Sequence, residues 1–192
     1  MATAALICVV SGCNLFASPE LRMVGAPGTS ASSAINEVSY ESPLTEGSIM
    51  LCVTSPSTAT IDSVALTNPN GDPTGHIHVS SFALRPNPYF TGHAFIGDQA
   101  TPLSEIGDGF DPSAVQQVTG VSPADIASPP DEIAAATSEL AVEVTWSSGT
   151  YAGGRDLAVT YEMGGARKTA LIPFGICLCA QTCPQGLGVD FD

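Results

Sequence analysis

The sequence predicts an all-β fold, an antiparallel β-sandwich with one long irregular insertion, and three observations carry that reading. Charged residues make up only 12% of the 192-residue chain, while 19 glycines and 15 prolines punctuate it. Long helices usually carry more Glu, Lys and Arg than this. Apolar residues alternate with polar ones in the last third, which is the period of a half-buried strand. Dense turn signals separate the short apolar runs elsewhere.

Taken in order, Ser48 to Thr54 is a compact apolar run, expected to be the first strand. Ala59 to Leu66 follows the Pro56-Ser57 turn and is interrupted by Asp62 and Ser63. Beyond the turn at Asn68–Pro73, His76 to Leu84 reads as a third strand. Leu140, Val142, Val144 and Trp146 alternate with Ala141, Glu143 and Thr145. A loop is expected from Ser147 to Gly154, and then Leu157, Val159, Tyr161 and Met163 repeat the alternation. Gly164-Gly165 makes a hairpin turn, because adjacent glycines accept the positive φ angles of a primed turn. Arg167 to Cys179 returns as one long strand in which Pro173, lacking a donor, demands an edge or a bulge.

Two stretches lack such periodicity. Residues 14–40, rich in Ser, Gly and Pro, have the composition of a flexible tether, leaving 41–192 as a single domain. Between about 86 and 137 prolines and glycines are frequent and apolar pieces scattered, as in an inserted loop with short helices at Ser113–Val118 and Pro123–Ala127.

Charge narrows the function classes. Five Lys or Arg face 19 Asp or Glu, a formal net charge of -14, and such a chain repels phosphate backbones. A nucleic-acid partner is therefore excluded. At the N-terminus an apolar run, Ala4 to Val10, leads into Val10-Ser11-Gly12-Cys13. That order resembles the cleavage and lipidation box of bacterial lipoproteins. The resemblance implies an export signal over residues 1–13, acylation of Cys13, and a membrane attachment made by lipid alone. Only Met1, Ala2 and Thr3 precede the run, where such signals usually carry basic residues. An upstream start is the companion expectation.

With Cys8 in the signal and Cys13 lipidated, Cys52, Cys177, Cys179 and Cys183 remain, an even number suited to an oxidising compartment. A bridge between Cys177 and Cys179 is geometrically poor in an extended strand. Cys52 is thus expected to pair with one of the last three, preferably Cys177, with Cys179 joined to Cys183. Zinc is disfavoured, because the cysteine spacing lacks a C-x2-C knuckle.

Asp156 to Cys179 resembles the closing hairpin of a group of uncharacterised small exported actinobacterial proteins: apolar-Val-Thr-Tyr, a Gly-rich turn, a basic residue, then apolar-Pro-Phe-Gly and a cysteine. Leu51-Cys52-Val53 is similar to their opening strand, and Phe82 to Asn87 to the end of their third. The resemblance implies an immunoglobulin-like sandwich with a strand-to-strand disulfide at the positions of Cys52 and Cys177. It attaches no activity. The match to antibody-type domains is poorer, since Trp146 lies far from Cys52 and Gly175 stands where a tyrosine is expected.

Candidate chemistry is sparse. His76 and His78 share a strand face and, with His93, are candidates for a transition-metal site. Asp98, Glu105, Asp108 and Asp111 lie in the irregular stretch, but their spacing does not match a calcium loop. There is no Gly-x-Ser-x-Gly elbow and no phosphate-binding loop. The sequence thus predicts an extracytoplasmic, lipid-anchored binding module with an unknown protein or glycan partner, without catalytic activity or cofactor. The alternative is a metal-handling protein using His76, His78 and His93.

Overall fold

The computed structural model describes residues 20–24, 31–39, 42–67, 76–87, 100–120 and 137–182. They form β1 (Leu21–Met23), β2 (Ala31–Ile35), β3 (Leu44–Val53), β4 (Thr58–Leu66) and β5 (Ile77–Pro86). A single helical turn, α1 (Leu103–Ile106), precedes β6 (Gln117–Thr119) and β7 (Thr137–Trp146). The chain then continues through β8 (Tyr151–Gly154), β9 (Leu157–Met163), β10 (Ala166–Ile172) and β11 (Phe174–Cys179).

Three sheets result. The first has the order β1-β3-β7-β5, the second β10-β9-β4-β6, and the third β2-β11-β8. Their pairings are antiparallel except β2 with β11, which run parallel. One continuous apolar core joins them. Ile49, Leu51, Leu140, Val142 and Trp146 of the first sheet share it with Ile61, Val159 and Tyr161 of the second and Ile176 and Leu178 of the third. The fold is an all-β sandwich, as the alternation of apolar residues requires.

Local chemistry explains the elements. β9 spans the predicted residues, and Gly164 and Gly165 turn the hairpin at φ of 61° and 75°. β4 shifts register between Ile61 and Ser63, which places the bulge at Asp62, where the apolar run breaks. In β5 the shift lies between Val79 and Ser81. It changes which alternate residues face the main core: Ile77 and Val79 pack there before it and Phe82 and Leu84 after it, so Ala83 is turned outward to a second cluster with Leu103, Phe110 and Ala141.

Several expectations are corrected. Within the stretch read as a tether, Leu21–Met23 pairs with β3 and Ala31–Ile35 with β11, so strand pairing supplies order that composition does not reveal. The expected loop at 147–154 contains β8, an edge strand of the third sheet. The long final strand is two strands. Its first half is the edge of the second sheet, and after Pro173 the chain enters the middle of the third. Ser113–Val118 is not helical but turns into β6, the edge partner of β4. The stretch from 86 to 137 is not simply a displayed insertion either. In its described part Leu103 and Val118 are fully buried and Phe110 nearly so. The expected helix at Pro123–Ala127 lies outside the described residues.

Candidate functional site

Residues 100–116 cover the outer face of the first sheet, and the most elaborate polar arrangement among the described residues lies beneath them. β7 turns Leu140, Val142, Val144 and Trp146 into the main core, so Glu139, Ala141 and Glu143 point to the opposite face. A half-buried strand would leave these in water. Here Ala141 packs on Leu103 and Phe110, and Glu139 is completely buried.

Glu139 stands directly across from Arg85 of β5. Arg85 donates from Nε and Nη2 to Glu139 Oε2 at 2.7 and 2.6 Å, with side-chain exposures of 1% and 0%. Removing two charges from water costs several kcal/mol per ion, and pairing offsets this only when the other valences are also met. They are. The Arg85 Nη1 donates to the Asp108 carbonyl at 2.9 Å, and the guanidinium lies 4.6 Å from the centroid of the Phe110 ring. Such a cation–π contact contributes about 0.5–2 kcal/mol. On the other side, the Ser48 N–H donates to Glu139 Oε1 at 2.9 Å.

Backbone irregularities make both contacts. β3 slips register between Glu46 and Ile49, and Ser48 takes φ of 60°, so its N–H is turned out of the ladder. Gly107, Asp108 and Gly109 all have positive φ, at 68°, 49° and 88°, which aims the Asp108 carbonyl at the guanidinium. Glycine adopts such values without a Cβ clash and aspartate is among the residues that tolerate the left-handed region, so the Gly-Asp-Gly order suits this turn.

Polar groups also fasten the rest of the cover. Glu143 accepts the Leu103 N–H at 2.8 Å at the start of α1, and its other oxygen accepts the Ser80 hydroxyl at 2.6 Å. Thr45 Oγ1 donates to the Thr101 carbonyl at 2.8 Å. Gln116 ties three elements together. Its Oε1 accepts the Leu84 N–H, its Nε2 donates to the Asp111 and Ala114 carbonyls at 2.8 Å each, and its own carbonyl accepts the Ile61 N–H at 2.8 Å.

Between this cover and the ends of β5 and β7 lies a cleft of about 330 Å³, lined by Leu84, Arg85, Asp111, Val115, Gln116 and Thr137 among others. Val115 brings an apolar side chain that is 73% exposed. Asp111 brings a carboxylate whose Oδ1 accepts both the Ser113 hydroxyl, at 2.6 Å, and the Ser113 N–H, at 2.9 Å. The hydroxyl first, and then the amide, hold its pKa below the ordinary carboxylate value. The cleft therefore offers a carboxylate that stays ionised beside an apolar rim, which suits binding. Among the described residues no group of three His, Cys, Asp or Glu side chains is placed to hold a metal ion.

The residues singled out from the sequence fare differently. His76 Nδ1 shares a hydrogen bond with Ser148 Oγ at 2.7 Å, and His78 Nε2 with Thr145 Oγ1 at 2.8 Å. Cys13, Cys183 and His93 lie outside the described residues, as do Asp98 and the segment 1–19. The preferred Cys52–Cys177 bridge is absent: Cys177 is a buried thiol, while Cys52 and Cys179 are each disulfide-bonded. Cys177 lies on β11 of the third sheet, opposite Gly153 and Ala34, where its sulfur neighbours that of Cys179 at 3.8 Å instead of bonding to Cys52 on β3. Sequence reasoning missed Arg85, Glu139 and Gln116. A signal existed for the first two, since each is a charge at the edge of an apolar run, at Phe82-Ala83-Leu84-Arg85 and Glu139-Leu140-Ala141-Val142. No protein-family model matches the chain, and no curated protein matches it.

Proposed function

We propose that this protein is a non-catalytic extracytoplasmic binding module that engages a protein or glycan partner through the cleft beside Val115 and Asp111. The observation that carries the reading is the cleft itself, open to solvent yet backed by the buried Arg85–Glu139 pair. A binding surface gains affinity when its walls are ordered before the partner arrives. Attachment to a membrane through an acylated Cys13 belongs to the same proposal and rests on the Val-Ser-Gly-Cys resemblance. The immunoglobulin-like character of the sandwich likewise rests on resemblance. Among the described residues no helix is long and apolar enough to cross a membrane.

A photo-crosslinking residue placed at Val115, with a control at Thr169, tests the cleft in a native host. One recurrent adduct from position 115 alone is expected, weakened at least tenfold by Asp111→Lys. Equal adducts from both positions would remove the cleft from consideration. Lipid-precursor labelling that persists in a Cys13→Ala variant would remove the anchor.

A further inference from the structure

Cys177 and Cys179 stand two residues apart on β11, and their sulfurs approach to 3.8 Å. One belongs to a disulfide and the other is a thiol. In a regular strand, side chains at this spacing lie about 6.6 Å apart along one face, so the sulfurs have leaned toward each other. The neighbouring strand leaves them room. Gly153 of β8 lies opposite Cys177, and a Cβ there would come 3.4 Å from the Cys177 Cβ and 2.5 Å from the Ile176 carbonyl. Both cysteines are buried, Cys179 at 1% and Cys177 at 6% exposure, so a bulky reductant in solution has poor access to either sulfur.

From the contact of a shielded thiol with a shielded disulfide sulfur, we propose that Cys177 is an internal exchange thiol for Cys179. The Cys177 thiol gives its proton to water, and the resulting thiolate attacks the Cys179 Sγ. A Cys177–Cys179 bond forms as the bond from Cys179 to its present partner breaks. That partner leaves as a thiolate and takes up a proton. One disulfide and one thiol enter the reaction and one of each emerges, so no oxidant or reductant is consumed. Burial, which raises the Cys177 pKa, keeps the thiol protonated and the exchange slow. Bridging two strand positions so far apart requires backbone movement. The bridged isomer is therefore the minor one. The device gives Cys179 a built-in resolving partner: a disulfide formed there, within the chain or with a small thiol, meets Cys177 first.

The test uses the full chain purified without reductant, incubated at neutral pH, quenched in acid, and alkylated in denaturant at low pH. Peptide mass spectrometry then locates the label and the bridges. The expected result is a minor species in which Cys177 and Cys179 are joined and the label has moved from Cys177 to the cysteine that Cys179 released. Cys177→Ser should reduce that label transfer at least tenfold. A wild-type map with the label on Cys177 alone overturns the proposal, as does undiminished label transfer in Cys177→Ser. The wild-type map decides the matter even if the variant does not fold.

Discussion

On the outer face of the first sheet, Glu139 and Glu143 of β7 lie under residues 100–116, and their oxygens accept hydrogen bonds from Ser48, Arg85, Leu103 and Ser80. On the outer face of the second sheet the polar side chains bond to one another. Thr58 meets Thr119 at 3.1 Å, Thr160 meets Thr169 at 3.4 Å, and Gln117 donates to Thr60 at 3.2 Å. Both faces are written with polar residues at alternate positions, yet one is buried and the other faces water. Polarity at a strand position therefore does not by itself report exposure. What separates the faces is the chemistry of the polar group. Threonine hydroxyls satisfy each other locally, whereas a carboxylate in a cluster with Ala83 and Ala141 needs donors brought from elsewhere.

The contrast is broken most severely at the ion pair. Glu139→Ala leaves Arg85 charged and buried, and urea denaturation should show a loss of about 3–5 kcal/mol. The double change Arg85→Met with Glu139→Leu should recover most of that loss, because the desolvation cost disappears with the charges. Leu103→Ala attacks the cover itself. Leu103 is fully buried, so its truncation should cost about 2–5 kcal/mol. A deletion of residues 100–120 should abolish cooperative melting, since it strips the covered face and removes β6. Gln116→Ala should cost about 1–3 kcal/mol by leaving the Leu84 N–H without its acceptor. Thr169→Ala on the bare face should stay within about 0.5 kcal/mol.

The smallest effect sharpens the comparison at the cleft. The Asp111 pKa is lowered in the folded chain, chiefly by the Ser113 hydroxyl. Its contribution to stability is thus fully present above the ordinary carboxylate value and is lost as pH falls through the lowered one. Ser113→Ala should move the Asp111 titration, followed by NMR, upward toward the ordinary aspartate value.

The comparison also marks what was legible in advance. β9, the Gly164-Gly165 turn and the core face of β7 follow from period and turn chemistry, which act over a few residues. The cover does not. α1 has four residues, β6 has three, and neither has a period to detect. Their positions are set by Glu143, Gln116 and Thr45, each bonding to a residue distant in sequence or held by one. β1 and β2 were hidden for the same reason. The cysteine pairing is not legible either, because strand placement alone does not distinguish Cys177 from Cys179 on one short strand.

The parallel pairing of β2 with β11 has a consequence in time. Ala31 meets Phe174 across that pair, roughly 140 residues later in the chain. Non-local pairings of this kind form slowly, because a long loop must close before any contact rewards it. A chain emerging from the ribosome N-terminus first would deliver β2 long before β11 and hold it without its neighbour until most of the polypeptide had been made. The third sheet would then be the last to assemble, and its completion would report that synthesis had reached β11.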